Sequence, residues 1–230
     1  MRPEKLPHET SVRLLRRVPQ RPNELAEMLG RGLRHHGDPM FGIAEIAKVK
    51  RLRRALPRCA VRCAEAIEDL ILFHNPQTVA AFIAEPIASG PGAAVPGDEY
   101  WPRVREICDR HGVLLIADEV ITGFGRTGRM WGLQHWGVEP DMIQYAKAIT
   151  SGYFPFGGTG VSDKIAKVLD ESEEVWMHAY TYSAHPVGCA VAMANLDIIE
   201  AEDFLGQAAE KGRYLLEGLK ANLDEHPHVG

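Results

Sequence analysis

Two short apolar runs, each ending in an ionisable residue, set the narrowest limits on this fold. Val113-Leu114-Leu115-Ile116-Ala117 runs straight into Asp118, and Met142-Ile143-Gln144-Tyr145-Ala146 into Lys147. Short runs rich in Val, Leu and Ile, bounded by turn residues, read as strands of a parallel sheet buried on both faces. Ligands of an open parallel sheet gather outside the carboxyl ends of its strands. One carboxylate and one amine are therefore delivered to the same edge. Between them lies Thr122-Gly123-Phe124-Gly125-Arg126-Thr127-Gly128, whose glycines let the backbone turn sharply beside that edge.

A lysine in such a place can form a Schiff base with a carbonyl, and a buried Asp can hold a positive charge next to it. Together they are the minimum equipment for pyridoxal phosphate chemistry. Blander roles exist for both. A lysine after a strand is most often a surface residue, and an Asp at a strand end can cap a turn.

The surrounding pattern supports a strand–helix–strand unit. Ala64–Phe73 reads as an amphipathic helix and Val79–Glu85 as a buried strand stopped by Pro86. Ser89–Gly97, with three Gly and two Pro, reads as loop. Asp98 is a plausible N-cap for a helix through Arg110, with Gly112 just past its end. Val113–Ala117 follows as the next strand, and the crossover is expected to be right-handed. Val161–Leu169 and Pro186–Glu200 read as further helices, and the last thirty residues as a charged helical segment. The expected class is α/β, three-layer αβα with a mostly parallel sheet.

Length and composition bound the rest. A chain of 230 residues can bury a sizeable core, and 45% hydrophobic with 25% charged residues suits an ordinary globular protein. No stretch approaches the roughly 20 apolar residues of a membrane span, and no apolar region follows the N-terminal charges to make a secretory signal. Cys59, Cys63, Cys108 and Cys189 are few and scattered, which fits a reducing cytoplasm. Neither the Cys59/Cys63 pair nor His35-His36 has a second ligand pair at metal-site spacing, so no metal is expected. Charge is uneven. Residues 1–60 carry 14 Lys and Arg against 6 Asp and Glu, net +8, whereas the remainder carries 12 against 25, net −13. The basic cluster from Lys48 to Arg58 lacks interleaved aromatics, so nucleic acid is not an expected partner. Helical periodicity is visible at Pro22–Leu33 and Ile43–Leu56.

Leu114-Leu115-Ile116-Ala117-Asp118-Glu119-Val120-Ile121-Thr122-Gly123-Phe124-Gly125-Arg126-Thr127-Gly128 resembles the signature of the class III aminotransferases, which are fold-type I pyridoxal phosphate enzymes. Ala84-Glu85-Pro86-Ile87, Ala146-Lys147-Ala148-Ile149-Thr150-Ser151-Gly152-Tyr153 and Thr181-Tyr182-Ser183-Ala184-His185-Pro186 agree with it in order and spacing. Four ordered segments are far more specific than one short motif. The likeness covers about residues 62–230 and is nearest to the omega-amino-acid:pyruvate group. Some relatives carry a gating Glu five residues after the Glu-Pro glutamate; Gly90 stands there, which points away from the ornithine-like and GABA-like branches.

The resemblance implies roles for single residues. Lys147 would carry the cofactor and shuttle the substrate proton. Asp118 would pair with the pyridinium nitrogen, and Val120 would pack against one face of the ring. Glu85 would either hydrogen-bond near the cofactor or merely end its strand, and Glu119 would be structural or support the site from behind. Thr181, with the backbone of Tyr180, would hold the cofactor phosphate across a homodimer interface, unless it is an ordinary strand Thr. Tyr153 would shape the substrate pocket. Arg126 would order its loop or contact a second subunit.

By the same resemblance the chain reads as three parts. Residues 1–60 form an atypical basic segment, 61–200 the core of the large domain, and 201–230 the helical start of a small domain. The family's phosphate loop and ring-stacking aromatic lie too far upstream of Asp118 to be matched here. The chain therefore reads as the central, incomplete piece of an enzyme exchanging an amino group between an amine or omega-amino acid and a keto acid such as pyruvate. An inactive fragment, or another class III activity such as an aminomutase or decarboxylase, would carry the same motifs.

Overall fold

A computed structural model describes residues 60–90, 92–172, 180–224 and 226 in full, and residues 13–16 and 59 as backbone. Five strands form one sheet in the order β1-β2-β3-β4-β5. They are β1 (Arg13–Arg16), β2 (Val79–Ala84), β3 (Leu114–Asp118), β4 (Met142–Tyr145) and β5 (Gly158–Val161). The helices are α1 (Cys59–Phe73), α2 (Tyr100–His111), α3 (Asp163–Asp170), α4 (Pro186–Ala201) and α5 (Phe204–Leu223). The expected helices at Pro22–Leu33 and Ile43–Leu56, and the basic cluster, lie outside the described residues.

The centre of the sheet is parallel, β2 to β3 to β4, as the apolar runs predict. Both edges are antiparallel. Outside the centre, β1 pairs with β2, and β5 with β4. The expected helix over Val161–Leu169 is shorter at its start, because Val161 ends the stretch Gly158–Val161. That stretch is a strand, and α3 begins at Asp163. No crossover helix separates β4 from β5, so the chain simply reverses, which an antiparallel pairing permits and a parallel one does not.

The expected α2 is present but starts later. Its N-cap is Glu99 rather than Asp98, with no side-chain capping bond. Its end is as expected: Gly112 takes the left-handed conformation at φ 64°, and its N–H returns to Asp109 O and Cys108 O. At the other end of the first unit, α1 begins at Cys59, upstream of Ala64.

One core lies between the sheet and α1 with α2. Ala64, Ile67 and Ile71 from α1, with Trp101, Val104, Ile107 and Cys108 from α2, pack on Phe82, Leu115 and Ala117. Each large side chain buried there contributes roughly 1.5–3 kcal/mol. Ile116, buried outside this cluster, faces the other side of the sheet, as strand alternation requires. A second, smaller cluster joins Ala192 and Ile199 of α4 and Leu205 of α5 to Phe124 and Ile149.

Buried Asp141 fixes the start of β4. Its Oδ2 accepts the Leu115 N–H at 2.8 Å and the Arg105 guanidinium at 2.9 Å. Its own N–H donates to Leu115 O at 2.8 Å. The two central strands thus begin in a fixed register and end together. Among the described residues no helix is long and apolar enough to cross a membrane.

Candidate active site

The register of β3 and β4 places Asp118 opposite Gln144, three residues before Lys147. The Glu119 N–H donates to Gln144 O at 2.9 Å and locks the two strand ends together. Asp118 and Lys147 therefore emerge at the same sheet edge. Asp118 is half-buried, and its Oδ1 accepts the Val120 N–H at 3.2 Å. Among the described residues its second oxygen has no partner. Lys147 opens the 3-10 turn Lys147–Ile149 with φ 46°, a left-handed conformation uncommon for a side chain of its size. Its amine is exposed and makes no hydrogen bond or ion pair with a described residue.

Glu119 is fully buried. Its carboxylate accepts the Thr122 hydroxyl, the Gly132 N–H at 2.8 Å and the Leu133 N–H at 3.1 Å. Of the two readings of Glu119 in the sequence, these bonds favour the structural one. It closes the whole loop that follows Asp118 onto the 3-10 helix Gly132–Trp136. Gly132 sits so tightly that a Cβ there would lie 2.9 Å from Pro86 Cβ and 2.8 Å from Thr122 Cβ.

Phe124 and Trp131 of that loop stack edge-on or tilted with each other and with Tyr145, at centroid distances of 4.9, 5.7 and 6.2 Å. Tyr145 ends β4, so the aromatic trio ties the glycine-rich loop to the strand that carries Lys147. Gly125 and Gly128 have φ of 90° and 82°, and a Cβ on either would press on Leu205 or Ala209 of α5. These glycines admit a helix rather than a ligand. Arg126 is exposed.

Glu85 lies just past the end of β2. Half-buried, its Oε2 accepts the Ser89 N–H at 2.9 Å. Val120, two residues after Asp118, is half-buried. Tyr180 and Thr181 are exposed in a turn before α4, where the Tyr180 N–H donates to Ser183 Oγ at 2.9 Å. No bond joins Tyr180 or Thr181 to Asp118 or Lys147. Their link to that edge runs through α4, whose His185 ring lies 5.2 Å from Phe154 in the segment after Lys147. Tyr153 is open to solvent.

Sequence reasoning missed Asn195. On α4, its Nδ2 donates to Ala148 O at 2.9 Å and Ile149 O at 3.1 Å, the carbonyls of the Lys147 turn. A signal was available. Gly188, Ala192, Asn195, Leu196 and Ile199 share one helical stripe, and a lone amide in an apolar stripe needs partners.

A half-buried carboxylate with an open oxygen and an unpaired amine on adjacent strand ends suit a pyridinium nitrogen and an aldehyde carbon. The donor set at this edge fits pyridoxal phosphate.

A family model described as "Aminotransferase class-III" matches residues 34–230, reaching upstream of the motifs. The chain is 45% identical over 171 residues to the diaminobutyrate–2-oxoglutarate transaminase of Halomonas elongata, covering 73% of this chain and 36% of that one. It is 45% identical over 170 residues to the putrescine–pyruvate aminotransferase of Pseudomonas aeruginosa, covering 74% and 37%. A thermostable (S)-enantioselective omega-transaminase from Thermomicrobium roseum superposes with a TM-score of 0.70 at 51% identity, covering 74% of this chain and 38% of that one. The chain thus spans a little over a third of the length of these relatives, and in that third it has their fold. It belongs to the class-III aminotransferases, a family that works with pyridoxal phosphate.

Proposed function

We propose that the protein takes part in pyridoxal phosphate-dependent amino-group transfer between an amine or omega-amino acid and a keto acid such as pyruvate. The observation that carries this reading is the delivery of Asp118 and Lys147 to one edge by adjacent parallel strands in fixed register. The putrescine–pyruvate relative supports the choice of substrates.

When bound, the cofactor supplies an electron sink for the pair released when a substrate Cα–H bond breaks. The rest falls to the chain. Lys147 would hold the cofactor through its amine, and that amine is the base that would carry the proton away from substrate Cα. The open oxygen of Asp118 holds a proton on the ring nitrogen, because a carboxylate at hydrogen-bond range favours the charged ring. Val120 lines the face of the ring beside it, and Glu85 supports the edge from the end of β2. Thr181 and the Tyr180 N–H bind the phosphate, for which that N–H must leave Ser183 Oγ. Exposure of both residues suits a phosphate site completed across a homodimer, and Tyr153 lines the substrate side. The protein acts in the cytoplasm, without nucleic acid or membrane partners.

The test is covalent capture. Pyridoxal phosphate added to the chain should produce a visible-range imine band, and borohydride should fix the label on Lys147. A label mapped to another lysine, with Lys147 unmodified, overturns the assignment.

A further inference from the structure

The lysine turn is built in a way that does not hold itself. Lys147 has φ 46° and Ser151 φ 50°, two left-handed residues within five positions, and neither is glycine. The internal bonds of the turn are long. Ile149 N–H to Ala146 O, Thr150 N–H to Lys147 O and Ser151 N–H to Ala148 O all measure 3.2 Å. A short 3-10 segment of this kind has poor bond geometry and needs outside support.

The Thr150 hydroxyl ties the turn forward to Phe154 O at 2.6 Å, and the support from outside the segment comes from Asn195. Besides its two bonds to Ala148 O and Ile149 O, Asn195 accepts the Ser151 hydroxyl on Oδ1 at 2.8 Å. The amide orientation is fixed by its partners, since two carbonyls can only accept and the hydroxyl supplies the remaining proton. Asn195 therefore grips the turn at three of the four positions that follow Lys147, namely Ala148, Ile149 and Ser151. Its helix is seated by Ala192 and Ile199 against Ile149 and Phe124. The same helix starts five residues after Thr181, and Gly188 in its first turn is pressed by Phe154 and Phe156.

We infer that Asn195 is a positioning residue for Lys147: it holds the backbone turn that sets where the amine stands relative to Asp118. This rests on the assignment of Lys147 as the cofactor-binding amine. Because α4 also follows the Tyr180–Thr181 turn, one rigid element sets the spacing between the amine and the proposed phosphate end.

The experiment compares the full chain with Asn195→Ala, Asn195→Leu (equal in bulk, without hydrogen bonds) and Ser151→Ala. Pyridoxal phosphate capture with borohydride is followed by mass at Lys147, with Lys164 and Lys167 as internal references. Hydrogen exchange is read at the amides of Ile149, Thr150 and Ser151, with β3 amides as controls. Both Asn195 variants should slow capture at Lys147 by about tenfold and leave the reference lysines unchanged. Turn amides should exchange faster while β3 stays protected. Ser151→Ala should act in the same direction but more weakly, and it decides the matter should the Asn195 variants unfold. Faster turn exchange with unchanged capture at Lys147 makes Asn195 merely structural and overturns the inference, as does a fall shared equally by all three lysines. If the parent chain itself is captured elsewhere than at Lys147, the cofactor assignment fails, and the positioning role with it.

Discussion

The helix pair α1 and α2 packs on the sheet itself, whereas α4 and α5 pack on the lysine turn and the glycine-rich loop at its edge, and the two pairs solve the problem differently. The first pair is finished within the chain. Trp101, Val104, Ile107 and Cys108 are buried to 1% exposure or less, and the Trp101 indole N–H reaches Pro86 O at 3.0 Å. Glu68 on α1 accepts from Arg110 at 2.7 Å and contacts His111 at 2.8 Å, stitching the two helices at the rim. The second pair buries only Gly188, Ala192 and Ile199 on α4, and no residue of α5. Val187, Met193 and Ile198 on α4, and Tyr214, Leu215, Leu216 and Leu219 on α5, are open. The lesson is a division of labour. A closed core fixes the strands in register, and the elements that reach the lysine turn hang on its open side, where a ligand can be admitted.

The largest expected effect falls on the open side. Asp118→Asn removes the negative charge proposed to keep the ring nitrogen protonated, but not the hydrogen-bonding shape of the side chain. The proper test places residues 62–224 in the matching stretch of the putrescine–pyruvate relative. Turnover of amine with pyruvate should fall by about 10³-fold or more while some cofactor is retained. Near-normal turnover in the variant would remove Asp118 from the mechanism.

Next comes stability, where the two sides should part. Trp101→Ala empties a fully buried site and should cost about 3–5 kcal/mol in urea unfolding. Leu216→Ser on α5, at 53% exposure, should stay within roughly 0.5 kcal/mol of the parent. Similar losses in both variants would mean that α5 is covered in solution and would break the contrast. The Cys108 thiol, pushed up to about 12 chiefly by burial, should stay unreactive toward thiol reagents until the closed core opens, unlike exposed Cys63.

Glu119 joins the two sides, and its variant should be intermediate. Glu119→Gln keeps the shape but turns one acceptor oxygen into a donor facing Thr122, Gly132 or Leu133. Leaving a buried group mispaired costs about 1–3 kcal/mol. Hydrogen exchange should quicken at Gly132 and Leu133 before it does in β3. Uniform quickening across the sheet would instead make Glu119 a member of the main core.

How much of this was legible in the sequence differs between the same two sides. The parallel centre was readable because β2, β3 and β4 are short apolar runs cut by turn residues, and the αL stop at Gly112 because glycine there has one use. The antiparallel edges were not. β5 reads Gly-Thr-Gly-Val, which has too few side chains to show alternation, and its pairing depends on a reversal at the lysine turn that no local pattern encodes. The positions of Asp118 and Lys147 were legible from strand ends alone. The bonds that tie down their surroundings, from Glu119 to Gly132 and from Asn195 to Ala148, span 13 and 47 residues and arise only when the fold brings them together.

The smallest expected effect is pH-dependent and belongs to the closed side. Glu68 has its pKa lowered from 4.5, first by its hydrogen bond to His111 and then, against an opposing desolvation, by Arg110. A carboxyl held lower in the folded chain than in the unfolded one stabilises the fold at pH above its unfolded value. That contribution is lost as the pH falls through the folded value. Unfolding midpoints in urea should therefore drop between pH 5 and pH 3 (roughly the window below an ordinary Glu) more steeply in the parent than in Glu68→Gln. At pH 7 the variant should be the less stable, and near pH 3 the two should converge. The bond lies at the rim, where solvent screens it, so the difference should be modest. Parallel pH profiles in the two chains would show that the α1–α2 stitch adds nothing, and that apolar packing alone closes this side.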